Sequence, residues 1–236
     1  LDRLDGRLLG LRARHLQLFG LLHRLPQLLL QYADPQQIAS ITWLSADANL
    51  SPFATYAKQF HRNHGRAEDI LRLSVDLVLT GPSTSTTTRA MLKRMHLPTL
   101  HLEDATSINA LSINIRRLTQ AIGQSARGNE SLLRMHEKLT KLSSDAHKMP
   151  KDQWPYAAFL QHNGLTVGHG SLSNELLNLA GLRNSATLLG LRTYQRFPLE
   201  SLLRARPDLL ITPTDQLRYP ALAQELLQHP ALSGTM

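Results

Sequence analysis

The sequence predicts an α/β fold of two similar lobes, each with parallel strands, joined by a single long helix. Three observations carry this. Strand-like and helix-like segments alternate with short loops through the first half, and parallel strands with helical crossovers are the economical solution to that pattern. A long amphipathic stretch follows, over residues 129–148. Lastly, AEDILRLSVDLVLT at 67–80 aligns without a gap with LESLLRARPDLLIT at 199–212.

The elements follow in order. Residues 1–26, LDRLDGRLLGLRARHLQLFGLLHRLP, are nearly all Leu, Arg, Gly and His. Arg12, Arg14, His15 and Arg24 interrupt the apolar run, and no small-residue cleavage site follows, so this is not a secretory signal. The segment reads as atypical and outside the fold. QLLLQYA ends a short helix before the Asp34-Pro35 turn. IASITW, 38–43, reads as a strand, and 44–66 as loop. AEDILRLS is a short helix and Leu77–Thr80 a strand, which Gly81-Pro82 breaks. TTTRAMLKRM is a helix, and Thr99–Leu102 the next strand. Ser107 caps a helix whose Ile108, Leu111, Ile115, Leu118 and Ile122 share one face, with Gly123 as the stop. On the long helix, Leu132, Met135, Leu139, Leu142 and Ala146 line one stripe before Pro150 and Pro155. YAAFLQ is a strand, HNGLTVGHG a glycine-bearing loop, SLSNELLNLAG a helix, Leu209–Thr212 a strand and ALAQELLQ a last helix. The expected domains are therefore 27–123 for the first lobe, 124–150 for the connecting helix and 151–236 for the second lobe.

The repeat matches polar positions as well as apolar ones. Glu68 pairs with Glu200, Arg72 with Arg204, Asp76 with Asp208 and Thr80 with Thr212. Two α/β lobes facing each other make a cleft, and ligands of open α/β sheets sit off the carboxyl ends of strands. The loops after Thr80, Gln161 and Thr212 are then expected to face it.

Composition narrows the function. The chain has 236 residues, 42% of them hydrophobic and 5% aromatic. No apolar run is long enough to span a bilayer. With no Cys, thiolate chemistry and disulfides are excluded. The net charge of +8 is spread over single Arg and Lys residues without a nucleic-acid-binding module, so no nucleic-acid partner is expected.

Residues 65–123, GRAEDILRLSVDLVLTGPSTSTTTRAMLKRMHLPTLHLEDATSINALSINIRRLTQAIG, resemble the N-lobe of substrate-binding proteins of ABC importers for ferric siderophores, haem and vitamin B12. Residues 199–232, LESLLRARPDLLITPTDQLRYPALAQELLQHPAL, resemble their C-lobe. The resemblance implies a class III periplasmic binding fold: two Rossmann-like lobes bridged by one rigid helix. It also implies an initial strand and closing C-terminal elements that are not recognisable here, and so a chain truncated at both ends. By resemblance the protein captures a metal chelate between its lobes and delivers it to a permease dimer with its ATPase, as a periplasmic or envelope-anchored monomer without catalysis or a resident cofactor. Glu68 and Glu200 match the carboxylates that dock onto permease arginines; two distant carboxylates on one rigid body suit a two-fold partner. For the ligand, the resemblance and the loop positions together give Trp43, Asn63, His64, Thr80, Gly81, Pro82, Ser83, Asn163, Gly164, Tyr194 and Arg196, with Arg62 as a further cation for an anionic chelate.

Other chemistry is less well supported. His61 and His64 have a metal-site spacing, yet no third and fourth ligand can be assigned. GPSTSTTTR has neither phosphate-loop pattern, and GHGSL at 168–172 is not a nucleophile elbow. The alternative class is a cytosolic two-lobed α/β enzyme of glycosyl- or nucleotidyl-transferase type.

Overall fold

Parallel strands buried on both faces read as continuous apolar runs, and Leu77–Thr80 is such a run, with all four residues buried. The structure, a computed structural model, describes residues 16–18, 24–161 and 164–212. Contacts divide the chain into two compact units. One comprises residues up to Ala105 with Asn109–Leu133, the other Thr106–Ile108 with residues from Arg134 on.

The first unit contains, in chain order, β1 (Leu16–Leu18), α1 (Arg24–Tyr32), β2 (Ile38–Thr42), α2 (Ala54–Ala57), β3 (Arg62–Asn63), α3 (Ala67–Leu71), β4 (Leu77–Thr80), α4 (Thr86–Arg94) and β5 (Thr99–His101). Most of α5 (Ile108–Ala121) and the start of α6 (Ser125–Ala146) complete it. Its sheet has the order β3-β2-β1-β4-β5, and every pairing is parallel. Ile70, Val78 and Leu92 form a buried cluster joining α3, β4 and α4. Each such side chain stabilises the fold by roughly 1.5–3 kcal/mol relative to exposure.

Residues 16–18 correct one expectation. The N-terminal segment, set outside the fold on sequence grounds, supplies β1, which pairs with β2 on one side and β4 on the other. Three residues are too few to show an alternating pattern, and the neighbouring arginines mask them. The start of α1 at Arg24 likewise lies before residue 27. What was expected of 1–15 and 19–23, and the helix expected over ALAQELLQ, lie outside the described residues. A second correction concerns 44–66, read as loop, which holds α2 and β3.

Helix α6 begins four residues earlier than expected, directly after the left-handed Gly123 (φ 75°) that closes α5. At 1.5 Å per residue it is about 33 Å long. Its start is fixed by Arg127, which donates to Asp34 Oδ1 (3.0 Å) and the Tyr32 carbonyl (2.8 Å), and by Gln124 on Asp34 Oδ2 (2.7 Å). The expected buried stripe holds at Leu132 but not at Leu142, which is 40% exposed.

The second unit holds the remainder of α6, then β6 (Tyr156–Phe159), β7 (Leu165–Thr166), α7 (Leu172–Leu179), β8 (Arg183–Asn184), α8 (Ser185–Leu188), β9 (Gln195–Arg196), α9 (Leu199–Ala205) and β10 (Leu209–Ile211). Its main sheet is parallel with the order β10-β6-β8. The sequence repeat maps onto structure: α3 and α9 begin at matched positions, as do β4 and β10. The order β10-β6-β8 then reproduces β4-β1-β2, so β1 occupies the place that β6 takes in the second unit. Asp208 clasps β6 twice: its N–H donates to the Tyr156 carbonyl (2.8 Å), and its carboxylate accepts the Tyr156 N–H (2.7 Å). Ala158, Leu160, Phe197 and Leu202 form the core beneath.

Candidate functional site

In the first unit the chain runs β1, β2, β3 to one side, then crosses to β4 and β5 on the other. The strand order reverses between β1 and β4, and the crevice outside the carboxyl ends at such a switch point is the favoured ligand position. Because all five strands are parallel, their carboxyl ends share one edge. Trp43 follows β2 directly, Asn63 ends β3 and precedes His64, Thr80 ends β4 and precedes Gly81, Pro82 and Ser83, and His101 ends β5. Seven sequence-predicted residues thus gather at a single edge.

Their roles diverge once burial is considered. Trp43 is 46% exposed, and its ring centroid lies 6.3 Å from that of exposed His64, tilted by 38°. His64 is held by its N–H, which donates to Asp69 Oδ2 (2.9 Å); the same oxygen accepts the Arg66 N–H (3.2 Å). This pair is an exposed, π-bearing surface. Asn63 is not: it is 1% exposed, its Nδ2 donates to Ser40 Oγ (2.8 Å) and its Oδ1 accepts the Gly65 N–H (3.1 Å). Thr80 is equally buried, with its Oγ1 3.1 Å from His101 Nδ1. Both side chains are buried and bonded within the sheet, where they hold the edge in shape.

The hydroxyl-rich loop after β4 is also spent largely on itself. Gly81 N–H donates to Thr84 Oγ1 (3.0 Å), and Thr84 N–H to the Gly81 carbonyl (3.0 Å). Ser85 caps α4 by accepting the Thr88 N–H (3.0 Å), which satisfies one orphan donor of the helix start. Gly81 is buried, Ser83 half-buried and Pro82 exposed. Sequence reasoning missed His101 and Glu103, whose Nε2 and Oε1 lie 3.0 Å apart. They sit two residues apart at a strand end, which places both on one face, and that spacing was the available signal.

In the second unit, β6 runs into a tight turn. Gln161 N–H donates to the Leu165 carbonyl (2.8 Å) and Gly164 N–H to the Gln161 carbonyl (2.9 Å). Gly164 takes φ 66°, a conformation that favours glycine. Asn163 lies outside the described residues. Strand β7 pairs antiparallel with β9, setting Leu165 opposite Arg196, and Phe197 N–H donates to the Gly164 carbonyl (2.8 Å). The structure therefore brings Gly164 and Arg196 together. Arg196 is exposed, and Tyr194 is 53% exposed. Buried Phe197 anchors the segment that carries both.

Glu68 and Glu200 are each the second residue of their helix, α3 and α9. Both are exposed, and neither carboxylate has a bonding partner among the described residues.

Another concavity, of about 620 Å³, lies in the second unit along α6 and α7, lined by His136, Leu139, Ser143, His147 and Leu179 among others. It contains none of the sequence-predicted residues. Its one carboxylate, Glu175, accepts the Ile108 N–H (2.7 Å) and so caps a helix. Nearby, Lys148 donates to Asp145 Oδ1 (2.6 Å) and lowers the Asp145 pKa through that hydrogen bond and its charge. Among the described residues no group of three or more His, Asp or Glu side chains is placed to hold a metal ion.

Comparisons with known proteins agree with this architecture. No curated protein sequence matches the chain. Solved structures do. The periplasmic haem-binding protein of Pseudomonas aeruginosa is 19% identical with a TM-score of 0.72, over 94% of this chain and 80% of its own. The periplasmic vitamin B12 binding protein of Vibrio cholerae is 15% identical with a TM-score of 0.69, over 94% and 85%. The molybdate periplasmic binding protein of a Haemophilus influenzae ABC transporter is 14% identical with a TM-score of 0.77, over 94% and 74%. At these identities the likeness establishes the class III periplasmic binding fold. The family model described as periplasmic binding protein matches residues 32–236. That family is one of solute-binding proteins rather than enzymes, and this chain belongs to it.

Proposed function

We propose that this protein is the solute-binding component of an ABC importer, acting in the periplasm or at the cell envelope, and that its cargo is a metal chelate. Family membership supports the solute-binding part. The haem and vitamin B12 bound by similar proteins, both metal-centred macrocycles, support the cargo class. The observation that carries the reading is the exposed Trp43–His64 pair at the carboxyl edge of a parallel sheet, beyond β2 and β3 on one side of its topological switch. A flat or partly apolar chelate packs on such rings, and aromatic contacts are worth about 0.5–1.5 kcal/mol beyond area burial. In the second unit, exposed Tyr194 and Arg196 offer a further ring and a cation. Gly81, Pro82 and Ser83 contribute backbone and one hydroxyl.

Glu68 and Glu200 are assigned to docking on the permease dimer. The absence of a bonding partner for either carboxylate among the described residues, and their matched places on α3 and α9, support that role. The test is charge reversal of both, Glu68→Lys with Glu200→Lys. Chelate affinity is expected to stay within about twofold, while uptake falls at least about tenfold as two charge-assisted contacts become repulsive. Unchanged uptake in the double variant removes the docking assignment.

A further inference from the structure

A hydrogen-bonded chain at the carboxyl edge of the first unit links Thr80, His101 and Glu103. His101 closes β5 beside the last residue of β4. Its Nδ1 lies 3.1 Å from Thr80 Oγ1, and its Nε2 3.0 Å from Glu103 Oε1. A carboxylate only accepts, so Nε2 carries the proton; in the neutral ring, Nδ1 then accepts from the Thr80 hydroxyl. Both ring nitrogens are committed, and the imidazole has a single orientation. The Glu103 backbone is pinned as well. Its carbonyl accepts from Asn114 Nδ2 (2.7 Å), and the preceding Leu102 N–H continues the ladder onto the Thr80 carbonyl (3.0 Å).

Exposure rises along the chain. Thr80 is buried, the His101 side chain is 34% exposed and that of Glu103 73%. One Glu103 oxygen takes the imidazole proton, and the other has no partner among the described residues. A contact this exposed adds little to stability. What the arrangement supplies is a carboxylate of fixed direction, at the edge where open parallel sheets bind ligands.

We propose that Glu103, oriented by His101, forms a cargo-contacting acceptor site for groups that donate hydrogen bonds: amide N–H, hydroxyl or ammonium groups on the periphery of the chelate. This rests on the solute-binding reading above and narrows its cargo. A carboxylate at this edge disfavours a chelate whose periphery is itself carboxylate, since like charges repel and neither can donate. Thr80 is a positioning residue, acting through the His101 ring.

The experiment is a set of fluorescence titrations of the wild-type protein, Glu103→Gln and His101→Gln. The probes are cyanocobalamin, which carries peripheral amides, ferrioxamine B, which carries an ammonium, and haemin, which carries two carboxylates. Wild type is expected to bind at least one donor-bearing probe more tightly than haemin. Glu103→Gln is expected to weaken that probe about tenfold, the scale of one hydrogen bond to a charged group. His101→Gln is expected to weaken it less, and haemin binding should not weaken in either variant. Glu103 is exposed, so Glu103→Gln should keep the wild-type urea midpoint. Donor-probe affinity equal in wild type and Glu103→Gln overturns the proposal and leaves the solute-binding reading standing. A wild type that prefers haemin does the same. Binding of none of the three by folded wild-type protein contradicts the underlying reading, and the proposal with it.

Discussion

Asn63 shows how residue type and burial together decide a role. Its amide sits 1% exposed between Ser40 Oγ and the Gly65 N–H, so it ties β3 to β2 and shapes the turn that presents His64. Removing it strands a buried hydroxyl and a backbone donor, at a cost of about 1–3 kcal/mol. Asn63→Ala is accordingly expected to lower unfolding free energy by that amount in urea, and a loss under about 0.5 kcal/mol would show the amide to be dispensable. The sequence placed Trp43 at the end of a strand-like segment and His64 in a loop, and the structure sets their ring centroids 6.3 Å apart. That Asn63 and Thr80 turn inward was not legible, because both are polar loop-edge residues and only the packing of adjacent strands buries them. His101 and Glu103 were hidden for the converse reason: they carry no motif, and their pairing depends on a third residue, Thr80, on a neighbouring strand.

At the level of elements, the clearest sequence signals were long or duplicated. The helix-strand unit at 67–80 and its copy at 199–212 fold as α3–β4 and α9–β10. Strands β3, β7, β8 and β9 have two residues each, with no periodicity to read. Helix α6 illustrates how packing overrides propensity. Gly128 lies where a Cβ would collide with the Thr119 side chain of α5, itself buried and bonded to the Ile115 carbonyl (2.8 Å). In an open helix Gly→Ala stabilises by about 1 kcal/mol. Here overpacking, at about 1–3 kcal/mol, opposes and exceeds that gain. Gly128→Ala is therefore expected to lower the urea midpoint, and adding Thr119→Gly to restore it at least in part. A raised midpoint in the single variant would mean that the two helices do not approach this closely.

On the scale of the whole molecule, two units repeat one strand order, and a single helix begins in the first and ends in the second. The family match over residues 32–236 and structural matches over 94% of the chain fit that plan. Fold likeness at 14–19% identity does not carry the cargo chemistry. The proposed function requires that the protein bind a metal chelate. Native mass spectrometry of the purified protein, after incubation with a mixture of ferric siderophores, cobalamin and haem, tests it most directly. The predicted result is an added mass equal to a bound chelate, persisting at low micromolar concentration and displaced by excess of the same compound. A folded protein that retains only its own mass with every chelate would contradict it.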